Sequence, residues 1–243
     1  DETKNTAFET VIGPGSHIEG NLSTAYQKVY DVYGSLDGVL VIVVMNTPKY
    51  AGTCYMVGNT MSIAFCPMSE ETYYPFSTVV YHEAGGHGFA NLGDEYYYSG
   101  TISQSEKDDL KYLRNLYGWY ENIDVTSDRN EIRWSDFLTD PLYSSTVGVY
   151  EGGSPYSYGV WRPPYDSCMN NMYGKFNAPS RYAIYKRIME RSGENWSWDL
   201  FVEYDKINRD TDAQSSNGSQ TVKPSELPPH TPPVYISPDT LPY

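Results

Sequence analysis

The most constraining feature of this chain is the spacing of two histidines. His82 and His87 lie in the stretch Tyr81–Tyr96, Y-H-E-A-G-G-H-G-F-A-N-L-G-D-E-Y, with Glu83 beside the first and Asp94 and Glu95 just beyond the second. Two histidines on one helix face, with a glutamate next to the first, are how a metallohydrolase holds Zn²⁺ and carries its general base. The usual H-E-x-x-H spacing separates the histidines by four residues; here they are five apart. In an α-helix, residues four apart differ in direction by roughly 40° and residues five apart by roughly 140°. A regular α-helix therefore sends these two rings to different faces. Either the pair is not a metal site, or the helix absorbs the extra residue in a π-bulge, the i→i+5 distortion common at functional sites. Gly85 and Gly86 favour the bulge, because glycine tolerates unusual backbone angles. In an ordinary helix the same two glycines cost roughly 1 kcal/mol each relative to alanine. A buried helix with two satisfied histidines explains neither the glycines nor the acids that follow. The sequence thus predicts a distorted helix from about Phe76 to Leu92, ended by Gly93, with His82 and His87 as metal ligands.

A catalytic zinc takes three protein ligands and leaves one position open. Asp94, Glu95 and Glu106 are the candidates for the third. Asp94 is favoured, because a turn at Gly93 can bring the chain back over the metal. Glu95 then supports the site from behind or pairs with a base such as Arg162, and Glu106 opens a later helix. Glu83 is the expected general base, since zinc lowers the pKa of its water to about 7 and an adjacent carboxylate can take the proton. The expected cofactor is Zn²⁺, and the spacing by itself specifies a metal-assisted hydrolase.

The same residues carry a family resemblance. H-E-A-G-G-H-G-F-A-N-L-G-D-E-Y resembles the motif of the bacterial IgA-peptidase family of zinc metallopeptidases, H-E-[aromatic]-G-H-[small]-F-x-x-L-x-D-E-Y, with one residue inserted near Gly85-Gly86. Gly159-Val-Trp-Arg-Pro163 and Ser167-Cys-Met169 resemble that family's arginine-proline segment and methionine turn, so the resemblance covers about Val39 to Met189. It implies a zincin-like α+β catalytic domain with a mixed sheet, a metal-site helix and a methionine-turn-like segment. It also implies an exported protein whose leader lies upstream of this numbering, and a polypeptide or glycoprotein substrate. The family's aspartate aligns with Asp94. Met169, or its competitor Met172, becomes the apolar floor under the metal, and Tyr173 is a candidate to meet the oxyanion. Arg162 is either structural or a binder of a substrate carboxylate. In zincins the strand before the metal helix often forms the edge along which a peptide pairs, the place that Thr60–Cys66 occupies. Immunoglobulin A as substrate does not follow from a family name. Two rival readings are a zinc hydrolase of other amides or esters, and a non-catalytic binding module that keeps the fold.

Charge narrows the partners. With 17 basic and 31 acidic residues the net charge is −14, which argues against nucleic acid and against an anionic membrane surface. No apolar run reaches the ~18 residues of a membrane span. The 25 tyrosines are read mainly as half-buried packing with polar tips, and secondarily as a surface that grips polypeptide or sugar. Cys54, Cys66 and Cys168 are too few for a disulfide scaffold and leave open one bridge or three thiols.

Around the motif, residues 1–20 read as an arm or linker, 21–205 as the catalytic domain and 206–243 as a Ser/Asn/Pro-rich extension. A helix is expected over 21–33 with Ala25, Val29, Val32 and Tyr33 on its buried stripe. Val39–Met45 reads as a buried central strand, and Cys54–Val57 and Thr60–Cys66 as two strands around Gly58-Asn59. A helix over 103–117 is capped by Ser105, a short one lies near 134–138, a strand spans 156–161, and Asn177 opens another helix. The proline-rich Leu227–Tyr235 is an extended arm or linker, where His230 is no ligand.

Overall fold

The computed structural model describes residues 6–164, 166–171, 174–215 and 231–241. The chain is α+β with a mixed sheet, and it divides into two compact units, Asp1–Phe89 with Pro228–Tyr243, and Ala90–Leu227. No helix among the described residues is long and apolar enough to cross a membrane.

The first unit opens with a small hairpin, β1 (Val11–Ile12) and β2 (Ile18–Glu19), in the segment expected as an arm. Helix α1 (Leu22–Tyr33) begins where Asn21 accepts a hydrogen bond from Thr24 N–H, and ends at Gly34 in the left-handed conformation. Three strands follow, β3 (Val39–Met45), β4 (Thr53–Val57) and β5 (Met61–Pro67). With β8 (Val234–Ile236) they form one sheet in the order β3-β5-β4-β8. β5 is parallel to β3 and antiparallel to β4, and β4 is parallel to β8. Side chains alternate across the sheet. Val43, Tyr55, Val57, Met61, Ile63 and Phe65 join Ala25 and Tyr26 of α1 in one apolar cluster.

Two expectations for this sheet are corrected. Val39–Met45 is an edge strand, not a central one: β5 takes one side only, and Ile42 and Val44 are 43% and 53% exposed. The interior strands are β5 and β4, both buried along their whole length with both edges paired. Thr60–Cys66 therefore cannot offer an edge to a peptide. The predicted stripe of α1 is also shorter than expected, since Val32 and Tyr33 are 89% and 70% exposed. The proline-rich tail contributes β8 at the other edge, where Pro232 and Pro233 need donate nothing to a ladder. His230 lies outside the described residues, as does much of the 206–243 extension.

The second unit holds α3 (Gln104–Tyr117), α4 (Ser135–Thr139), the hairpin β6–β7 (Tyr150–Gly153 and Tyr156–Arg162), the short α5 (Cys168–Asn171), and α6 (Ala178–Ser192), α7 (Trp198–Tyr204) and α8 (Lys206–Ser215). Ser103, not Ser105, caps α3: its hydroxyl accepts from Glu106 N–H while the Glu106 carboxylate accepts from Ser103 N–H. Tyrosines do much of the packing here. Phe137, Tyr143, Tyr185 and Phe201 form a buried aromatic cluster, flanked by Tyr182 and Trp198. α8 replaces the irregular start of an extension. Arg181 pairs with Asp205 at 2.6 Å and with Asp212 of α8 at 2.8 Å, contacts invisible in local composition.

Candidate metal centre

The motif begins as a short α-helix, α2 (Phe76–Val79), and continues as a ten-residue π-helix, Val80–Phe89. In a helix closed by i→i+5 bonds, residues five apart stand one turn above one another. The spacing that disqualified a regular α-helix is one that a π-helix can accommodate. The His82 and His87 Nε2 atoms accordingly lie 3.1 Å apart, with the rings edge to face at 86°. Gly88 lets this helix lie against the sheet: a Cβ there would sit 2.6 Å from Leu40 Cδ1 and 3.5 Å from Cys54 Sγ. The helix ends at Phe89, before the predicted Leu92, and Asn91 rather than Gly93 takes the left-handed backbone, at φ 53°. Gly93 serves closeness instead, since a Cβ there would meet Ile123 Cδ1 at 2.5 Å.

Asp94 follows in the same stretch of chain. One ligand atom from each of His82, His87 and Asp94 lies within 4.8 Å of the others, and all three residues are buried. Among the described residues this is the only such group of His, Cys, Asp and Glu side chains. Two imidazole nitrogens and one carboxylate are a zinc donor set, and two nitrogens bound to one tetrahedral zinc are about 3.3 Å apart. The residues present fit a divalent ion of that type.

Glu83 is 1% exposed. Its carboxylate lies against Gly52, where a Cβ would come within 3.0 Å of both Cγ and Cδ, and nearer still to Oε1. Burial and, less, the Glu83 charge push the Cys66 thiol pKa up. Cys54, Cys66 and Cys168 are all buried, none in a disulfide.

The other two candidate ligands are employed elsewhere. Glu106 belongs to the capping box of α3 and also accepts from Tyr156 Oη, and these hydrogen bonds hold its carboxyl below the usual range. Glu95 is fully buried and accepts from Asn122 Nδ2 at 2.8 Å, Asn177 Nδ2 at 2.6 Å and Ser167 Oγ. Burial pushes its pKa up to about 7, against those three hydrogen bonds and the Arg162 charge. Arg162 is itself buried, donates to the Glu151 and Gly152 carbonyls at 2.7 Å and lies over the Tyr97 ring at 4.9 Å. Met169 is fully buried and its carbonyl accepts from Glu95 N–H at 2.8 Å. Tyr173 and Met172 lie outside the described residues.

Sequence reasoning missed Gly52, which reads as one more loop glycine, and Asn122, which carries no motif. Asn177 was legible only as a helix cap. A scan against protein-family models finds no match to this chain, and a search of curated proteins finds none.

Proposed function

We propose that this chain is an exported zinc metallopeptidase with a zincin-like catalytic domain, hydrolysing peptide bonds of a polypeptide or glycoprotein. The observation that carries the reading is the π-helix that turns His82 and His87 toward one point, with Asp94 in the same buried group. The motif resemblance supports the peptidase class and the exported location. His82, His87 and Asp94 would hold the zinc, which supplies Lewis acidity and lowers the pKa of a water to about 7.

The rest of the chemistry belongs to the chain. Glu83, adjacent to His82 and shielded from solvent, takes the proton of the attacking water on its carboxylate. It then returns that proton to the leaving amine nitrogen, so one group serves as base and acid. Gly52 leaves the space in which that carboxylate sits.

Elemental analysis of wild type and His87→Ala, prepared identically, tests the metal. One zinc per wild-type chain, lost in the variant, is expected. Glu83→Ala should keep the zinc and lose cleavage of a quenched-fluorescent peptide library. A wild type that takes up no zinc when zinc is supplied, or a Glu83→Ala that cleaves normally, overturns the reading.

A further inference from the structure

Asp94 sits on a stretch, residues 91–98, with no helix or strand of its own. Such a segment lacks a repeating ladder of backbone bonds, so the place of Asp94 depends on what grips its neighbours. The grip falls on Gly93 and Glu95. Asn122 closes a pair on Gly93, with Oδ1 accepting from Gly93 N–H at 2.8 Å and Nδ2 donating to Gly93 O at 2.9 Å. The same Nδ2 donates to Glu95 Oε1, which also accepts from Asn177 Nδ2, while Ser167 Oγ donates to Glu95 Oε2. Glu95 N–H donates to the Met169 carbonyl, and the Asp94 carbonyl accepts from Ser154 N–H. Three side-chain donors therefore converge on one carboxylate, away from water. The residues before and after Asp94 are held by these bonds, and the Asp94 carboxylate is grouped with His82 and His87.

We propose that Glu95, gripped by Asn122, Asn177 and Ser167, is a positioning residue that sets Asp94 as the third metal ligand. This rests on the metallopeptidase reading and extends the site to Asn122 and Asn177, which lie outside the histidine motif. Partners that orient a metal ligand typically change metal affinity by about 10–100-fold when altered.

Asn177→Asp is the discriminating substitution. It keeps the oxygen that caps α6 at Ser180 N–H, 2.9 Å away. It replaces the donor facing Glu95 with a second negative oxygen. Ser167→Ala removes one donor and threatens folding least, so it decides the matter if Asn177→Asp does not fold. Glu95→Gln keeps the length and an acceptor for both asparagine amides, and is the conservative rescue. On the full chain, three quantities are measured: zinc affinity by chelator competition, the visible spectrum of the Co²⁺-loaded protein, and the thermal midpoint without metal. Asn177→Asp and Ser167→Ala should lose about 10–100-fold in zinc affinity and shift the Co²⁺ bands, with Glu95→Gln close to wild type. Variants that lower only the metal-free midpoint, with affinity and spectrum unchanged, overturn the proposal. If Asp94→Ala binds zinc as wild type does, the positioning role falls while the histidine pair stands. A wild type without zinc fails before any variant is made, and takes both readings with it.

Discussion

Replacing Gly52 with alanine should cost turnover without costing zinc. The Gly52 backbone is not in the left-handed region, so the substitution meets a problem of space and not of conformation. The new methyl would approach Glu83 Cγ and Cδ to 3.0 Å, where ordinary contact begins near 3.4 Å. Glu83 is 1% exposed and has no solvent into which to retreat. Its carboxylate must shift by up to about 1 Å, and a misplacement of that size costs roughly 10²-fold in rate. Overpacking of a dense site destabilises by about 1–3 kcal/mol, while Gly→Ala at a tolerant backbone returns about 0.4–1 kcal/mol through the unfolded chain. At about 2–4 °C per kcal/mol for a chain of this size, the thermal midpoint should fall by only a few degrees. The assay is kcat on a cleaved peptide, with zinc content measured on the same preparation. Wild-type turnover in Gly52→Ala would refute the argument that this glycine makes room for the base. So would loss of zinc, which would place the damage at the ligands.

Other outcomes follow from the same contacts. Glu106→Gln should retain full zinc content and lose about 1 kcal/mol of stability from the weakened cap; loss of zinc would restore Glu106 as a ligand. Chelation should lower the thermal midpoint of wild type, because zinc at a hundred times its Kd adds about 2.7 kcal/mol, and leave His87→Ala unmoved. Burial, with the Asp205 charge and against Arg209, pushes Tyr143 up to about 12, and burial with Glu121 and Asp136 does the same for Tyr182. The unfolded chain ionises these phenols first, so stability that is full below pH ~10 is lost as pH rises toward ~12. Urea midpoints should fall over that window in wild type and fall less in Tyr143→Phe; parallel curves would remove Tyr143 as the cause.

Much of the local structure was legible because its causes are local. Asn21 and Asn177 cap the helices they precede, since the capping oxygen and the N–H it accepts from lie three residues apart. Gly58-Asn59 turns β4 into β5, and the five-residue histidine spacing with its two glycines announces a helix that is not α. Sheet order was not legible. Val39–Met45 and Met61–Pro67 are both apolar, and nothing within either run says which gains a neighbour on each side. The answer came from β4, which pairs with β5 on the side away from β3, while β8, some 180 residues beyond β4, covers the other side of β4 and β3 stays at the sheet edge.

The candidate site divides in the same way. Sequence alone determined that His82 and His87 could converge only in an i→i+5 helix, because backbone periodicity is set by adjacent residues. Only the tertiary structure separated the three acids. Glu106 is held by Ser103 and Tyr156, and Glu95 by Asn122, Ser167 and Asn177, from 27 to 82 residues away. Asp94, between two anchored neighbours, is the carboxylate placed with the histidines. A buried carboxylate such as Glu95 goes where donors satisfy it, and its donors are brought together by folding, not by proximity along the chain.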